Sequence, residues 1–154
     1  MLFRSGYKAF GEDKRAVLAA RVQGGVVVGA SLAGTPRDYL FYSGGGGTVR
    51  GQPYQSLGVN VLTDSSSIVY QTGGTQFLGA SVEARVRVGD NLGLVGFLDM
   101  GAVGAIGVND WHAGAGVGIR YATAVGPIRV DLALPVGGST GDGLQVYVGL
   151  GQAF

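Results

Sequence analysis

Between Leu78 and Val88 the chain reads Leu-Gly-Ala-Ser-Val-Glu-Ala-Arg-Val-Arg-Val. One parity holds Leu78, Ala80, Val82, Ala84, Val86 and Val88; the other holds Gly79, Ser81, Glu83, Arg85 and Arg87. A period of two places these sets on opposite faces of a β-strand, one apolar and one strongly charged. Gly89-Asp90-Asn91 then supplies turn residues. The alternation resumes with Leu92, Leu94, Gly96, Leu98 and Met100 opposite Asp99. It recurs at Ala113–Tyr121, at Ile128–Val136, at Leu144–Phe154 and, upstream, at Ala16–Val22. The reading is all-β and antiparallel, with about six strands of roughly ten residues and a stub near Gly6–Phe10.

Composition removes the competing classes. Glycine makes up 31 of 154 residues, but there are only 4 prolines and no Gly-X-Y period, which excludes collagen. Charged residues are 14% and hydrophobic residues 46%, the opposite of a disordered chain. Without cysteine there is no disulfide framework, thiolate nucleophile or Cys-based metal site. A net charge of +1 offers no footprint for nucleic acid. The most apolar stretch, Val22 to Pro36, is broken by Gln23, Ser31, Thr35 and glycines, so no helix there spans a bilayer. Met1 to Arg15 carries Arg4, Lys8, Glu12, Asp13, Lys14 and Arg15 without the apolar core of a signal peptide, and reads as mid-protein sequence.

A charged face and an apolar face fit either a soluble sandwich or a transmembrane barrel. In the sandwich the apolar face is inside; in the barrel it meets lipid and the polar face lines the lumen. The strand lengths suit a membrane crossing of 9–11 tilted residues. Connections alternate short (Gly11–Lys14, Gly89–Asn91, Ala124–Gly126) with long (Ala30–Gln76, Ala102–Trp111, Gly137–Gly143), as in outer-membrane barrels. Small residues on the polar parity leave room for an inserted segment. Closed barrels start at eight strands, so the chain is either a fragment or an oligomer that closes with other copies.

Several residue patterns have bland explanations. Gly44–Gly47 lacks the Gly-Lys-Ser/Thr of a phosphate loop. Gly114, Gly116 and Gly118 sit within a strand and admit a neighbouring backbone rather than a dinucleotide. His112 is the only histidine, beside Trp111, and reads as an interfacial residue rather than a metal ligand. Arg50, on a glycine-rich loop, reads equally as solvated or as paired inside a lumen lined by Glu83 and Asp99.

The long segment Ala30–Gln76 carries a resemblance. Its centre holds Gly44–Gly47, Val49-Arg50-Gly51 and Tyr54-Gln-Ser-Leu-Gly58. These are similar to the glycine stretch, Val-Arg-Gly signature and following segment of the sixth extracellular loop of the outer-membrane assembly-factor superfamily that includes BamA and TamA. Gln52-Pro53 departs from the family's usual aromatic-then-small pair. Ser81-Val-Glu-Ala-Arg85 and Phe97-Leu-Asp-Met-Gly101 resemble family strands. Gly116-Val-Gly-Ile-Arg-Tyr121, Thr123–Asp131 and Gly149-Leu-Gly-Gln-Ala-Phe154 most resemble the TamA branch.

The resemblance implies that residues 1–154 are the C-terminal portion of a bacterial outer-membrane barrel domain, about six strands of a sixteen-stranded barrel, with a lumen-directed loop at 30–76. It implies a non-catalytic assembly or translocation factor without cofactor or metal, acting on outer-membrane proteins or autotransporters through a lateral seam. The partners implied are those clients, the lipid bilayer and a periplasm-spanning protein of the TamB type. A passive pore or structural barrel fragment is the alternative. Site residues implied are Val49, Arg50 and Gly51 in the loop, and Glu83 or Asp99 as the lumenal partner of Arg50. Gly149, Gly151 and a lipid-facing Phe154 would form the seam and assembly signal.

Overall fold

The computed structural model describes residues 1–62, 69–105, 108–138 and 143–154. The strands are β1 (Leu2–Phe10), β2 (Ala16–Val26), β3 (Val59–Leu62), β4 (Val69–Thr72), β5 (Gln76–Arg87), β6 (Leu92–Ala105), β7 (Val108–Tyr121), β8 (Ile128–Gly137) and β9 (Gln145–Leu150). Seven form one sheet in the order β1-β2-β5-β6-β7-β8-β9, every neighbouring pair antiparallel. The β3–β4 hairpin is separate.

The sheet is inside out by the standards of a soluble protein. On β5 and β6 the apolar parity is open, with Leu78 61% and Leu98 44% exposed, while Glu83 and Asp99 are 0% and 1% exposed. Burying a leucine or valine is worth about 1.5–3 kcal/mol in water, so an aqueous sheet would not turn this row outward. Lipid as the outer solvent removes the contradiction.

What covers the charged face is the segment between β2 and β5. It contains a 3-10 turn at Arg37–Tyr39 and the β3–β4 hairpin, both within the loop expected at 30–76. Bridges Phe41↔Gly74 and Ser43↔Leu57 draw it into a compact plug. Val49, Leu57, Phe77 and Val103 form one buried cluster between plug and sheet. Val95, Phe97 and Ala133 form a second cluster.

Three strand expectations need correction. The stub at Gly6–Phe10 is a full strand, paired with β2 from Leu2↔Gly24 to Phe10↔Ala16. Its alternation is hidden because Arg4 and Lys8 lie on the same face as Leu2 and Phe10, opposite the outward Val22 and Leu18. The connection expected at Ala102–Trp111 is largely ladder, with Ala102↔Trp111 through Ala105↔Val108 in register. There the inner side packs under the plug, with Val103 in the first cluster, so the apolar/polar alternation fades. The last strand stops at Leu150, where Gly151 adopts φ +91, instead of running on to Phe154. Parts of the expected connections, residues 63–68, 106–107 and 139–142, lie outside the described residues.

Candidate functional site

The plug tip, Gly44–Gln52, is shaped by turns of its own backbone. The Gly45 N–H donates to the carbonyls of Val49 and Gln52 at 3.1 and 3.0 Å, and the Gly44 N–H to Thr48 Oγ1 at 2.9 Å. Gly51 has φ +95, and a Cβ there would run into the Leu134 carbonyl. From the sheet side, Gly114 leaves the opening: a Cβ on it would overlap the Arg50 carbonyl oxygen. Close backbone approach to a strand is what a strand glycine permits.

That approach delivers Arg50 into the charged face. Its Nε and Nη2 donate to Asp99 Oδ2 and Oδ1 at 2.6 and 2.9 Å, a two-pronged fork. Its backbone N–H donates to Asp99 Oδ2 at 3.1 Å. Nη1 donates to Glu83 Oε1 at 2.6 Å and to Asp131 Oδ2 at 3.3 Å. The guanidinium carbon lies 3.5 Å from the centroid of the Phe97 ring, where the π face favours a cation.

Two further arginines complete the array. Arg85 Nε donates to Glu83 Oε2 at 2.8 Å, and Arg120 holds both oxygens of Asp131. Glu83, Asp99 and Asp131 thus face Arg50, Arg85 and Arg120, three charges against three. Balance matters here because an unpaired buried carboxylate is costly. Burial works against the Arg50 cation, but Asp99 and then Glu83 outweigh it and hold its pKa above the ordinary arginine value.

The plug is tied at other points too. Gln52 Nε2 donates to the carbonyls of Ala113 and Gly137 at 2.9 and 3.0 Å. Arg21 Nη2 donates to the Gly47 carbonyl at 3.0 Å. The Tyr147 hydroxyl accepts the Gly51 N–H at 3.0 Å.

The structure therefore brings Arg50 to both expected carboxylates at once. Val49 is buried in the first cluster and Gly51 turns the tip. Asp131, Arg85 and Arg120 were not singled out as partners, although all lie on the polar parity of their strands. Gly149 faces inward, where a Cβ would stand 2.6 Å from Arg129 Nε. Phe154 is not on the lipid side: its ring lies 4.8 Å from the Arg21 guanidinium, 5.3 Å from that of Arg85 and 6.5 Å from the Tyr7 ring. The turn at Gly151 sends it inward, so strand parity no longer governs it. His112 is buried, while its neighbour Trp111 is exposed. Among the described residues no group of three His, Cys, Asp or Glu side chains is arranged to hold a metal ion. The array binds a segment of its own chain.

Comparison with known proteins agrees with this layout. The model of the Omp85 superfamily domain matches residues 2–154. Among solved structures, BamA from Haemophilus ducreyi lacking POTRA domains 1–3 superposes with a TM-score of 0.73 at 20% identity, covering 92% of this chain. The chain spans about a third of that structure's length, 32%.

Proposed function

Because the chain belongs to the Omp85 superfamily, whose barrels are non-catalytic and sit in the bacterial outer membrane, we propose that it forms the C-terminal wall and plug loop of an assembly factor for outer-membrane proteins. The observation that carries this reading is the seated tip, with Arg50 locked to Asp99 and Glu83 on the inner face of the sheet. A pore needs a clear lumen, whereas here a segment packs over the charged face of the sheet.

In this reading the working edge is β9. Among the described residues six pairs join it to β8, against fourteen between β6 and β7. A client strand adds to the exposed edge through backbone hydrogen bonds, as in other β-augmentation. Gly149 weakens the edge, since strand glycines contribute little packing, Gly151 turns the chain out of it, and Phe154 serves as the terminal assembly signal. The clients are outer-membrane proteins. Their restriction to autotransporters, a TamA-like role and a TamB-type periplasmic partner rest on the Gly116–Tyr121, Thr123–Asp131 and Gly149–Phe154 resemblances alone.

Photo-crosslinkers at Val146, Val148 and Leu150 test this in the outer membrane. An assembly factor yields adducts with nascent outer-membrane proteins at these positions and not at Val117 on β7. A passive pore yields none, and that result would overturn the proposal.

A further inference from the structure

The edge strand β9 and the plug tip are separated by almost the whole described sheet in sequence, yet one side chain joins them. Gln145, Tyr147 and Gly149 share the inner parity of β9, opposite Ala133, Asp131 and Arg129. The Tyr147 oxygen accepts the Gly51 N–H at 3.0 Å and donates its own proton to the Gln52 carbonyl at 3.2 Å. A tyrosine hydroxyl can do both at once. Its ring lies on Gly46, where a Cβ would stand 3.2 Å from Cδ1, and packs against Val95, Phe97 and Ala133. Phe97 is also the ring beneath the Arg50 guanidinium. Directly across the ladder, Asp131 accepts from Arg50.

We infer that Tyr147 is a latch between plug and edge strand, a positioning residue whose hydroxyl keeps β9 paired while the loop is seated. Its use in assembly rests on the seam reading above; the latch itself rests on the contacts. When an incoming strand displaces β9 from β8, the lost ladder bonds are replaced by equivalent ones. The Tyr147 bonds have no such replacement. As β9 withdraws, the Gly51 N–H loses its acceptor and the Gln52 carbonyl loses one donor, both inside a packed interior where such losses are expensive. The coupling is reciprocal: unseating the tip weakens the hold on β9 by the same factor.

Hydrogen exchange on the protein in outer-membrane vesicles tests the latch with Tyr147→Phe, which keeps the ring and removes the hydroxyl. The expected result is about tenfold faster exchange at the β9 amides together with those of Gly51 and Gln52, while β6 and β7 stay at the wild-type rate. Wild-type exchange at β9 overturns the inference, and so does equal acceleration of β6 and β7, which signals general loosening. Arg50→Lys provides a second arm by loosening the tip from the other side. It should speed β9 exchange when Tyr147 is present and add little in the Tyr147→Phe background. Full additivity of the two substitutions would show independent effects and overturn the latch. Client crosslinking at Val148 in the same samples separates the two readings. Faster exchange without any adduct supports the latch and defeats the seam; adducts with unchanged exchange do the reverse.

Discussion

The β6–β7 wall and the β8–β9 edge follow the same antiparallel pattern and both carry inward glycines, yet those glycines do opposite things. In β7, Gly114 receives the Arg50 backbone, so what the strand lacks in side chain is filled by the plug. The fourteen-pair ladder beneath it is clamped through Asp99 on β6. In β9, Gly149 faces only the flexible side chain of Arg129, and the ladder holds six pairs among the described residues. A strand glycine is therefore no measure of weakness by itself. What fills the space above it decides.

Removing the clamp is the severest way to test that contrast. Arg50→Ala leaves three buried carboxylates with two arginines, and breaking a buried pair costs about 3–5 kcal/mol. Denaturant unfolding of the barrel should show that loss, and protease should cut within Gly44–Gln52. Arg50→Lys keeps the charge without the fork and should fall between, with reduced assembly activity. A variant as stable as wild type would mean that the plug does not stiffen the wall.

Arginine on the lipid face sharpens the comparison at matched height. Val117, Leu132 and Val146 lie side by side across β7, β8 and β9, and Val117 and Val146 are both exposed. Val117→Arg, with a strand on either side, should cost about 2–4 kcal/mol if it lies near the midplane. Val146→Arg should cost less, because the edge can twist to lift the charge. Equal penalties, read from folding titrations in bilayers, would remove the distinction between wall and edge.

The same glycine substitution can be made in both places. Gly114→Ala puts a Cβ onto the Arg50 carbonyl and should cost about 1–3 kcal/mol as overpacking. Gly149→Ala meets only a side chain that can swing away, and should fall within about 0.5 kcal/mol. Reversal of that order, measured by the same titrations, would break the comparison. The smallest expected change is at Phe154→Ala, which lowers the yield of inserted barrel without changing synthesis while leaving the stability of the inserted fraction near wild type.

Much of this architecture was legible because lipid imposes a strict demand. Val82, Val86, Leu94 and Leu98 must alternate with inner residues, and that fixes parity. The same parity placed Glu83 and Asp99 on one face, within reach of a loop arginine. Asp131 obeyed the rule equally, but nothing local says which of several inward acids a distant arginine meets. Lys8 and Arg4 broke the pattern on β1, and the plug-packed end of β6 weakened it. Phe154 was misplaced because a left-handed glycine resets direction, which an alternation count cannot register. Tyr147 gave no sign in sequence: its role comes from contacts made 95 and 96 residues away.

Those separations have a consequence for how the molecule reaches its final form. Arg50 waits 81 residues for Asp131, and Gly51 waits 96 for Tyr147. Contacts so remote in the chain form late, since a large loop must close before any of them is rewarded. The plug tip can reach Glu83 on β5 and Asp99 on β6 first, but its contacts with Asp131 and Tyr147 wait until β8 and β9 are in place. Its full docking is therefore a completion signal, given only when β8 and β9 have joined the wall.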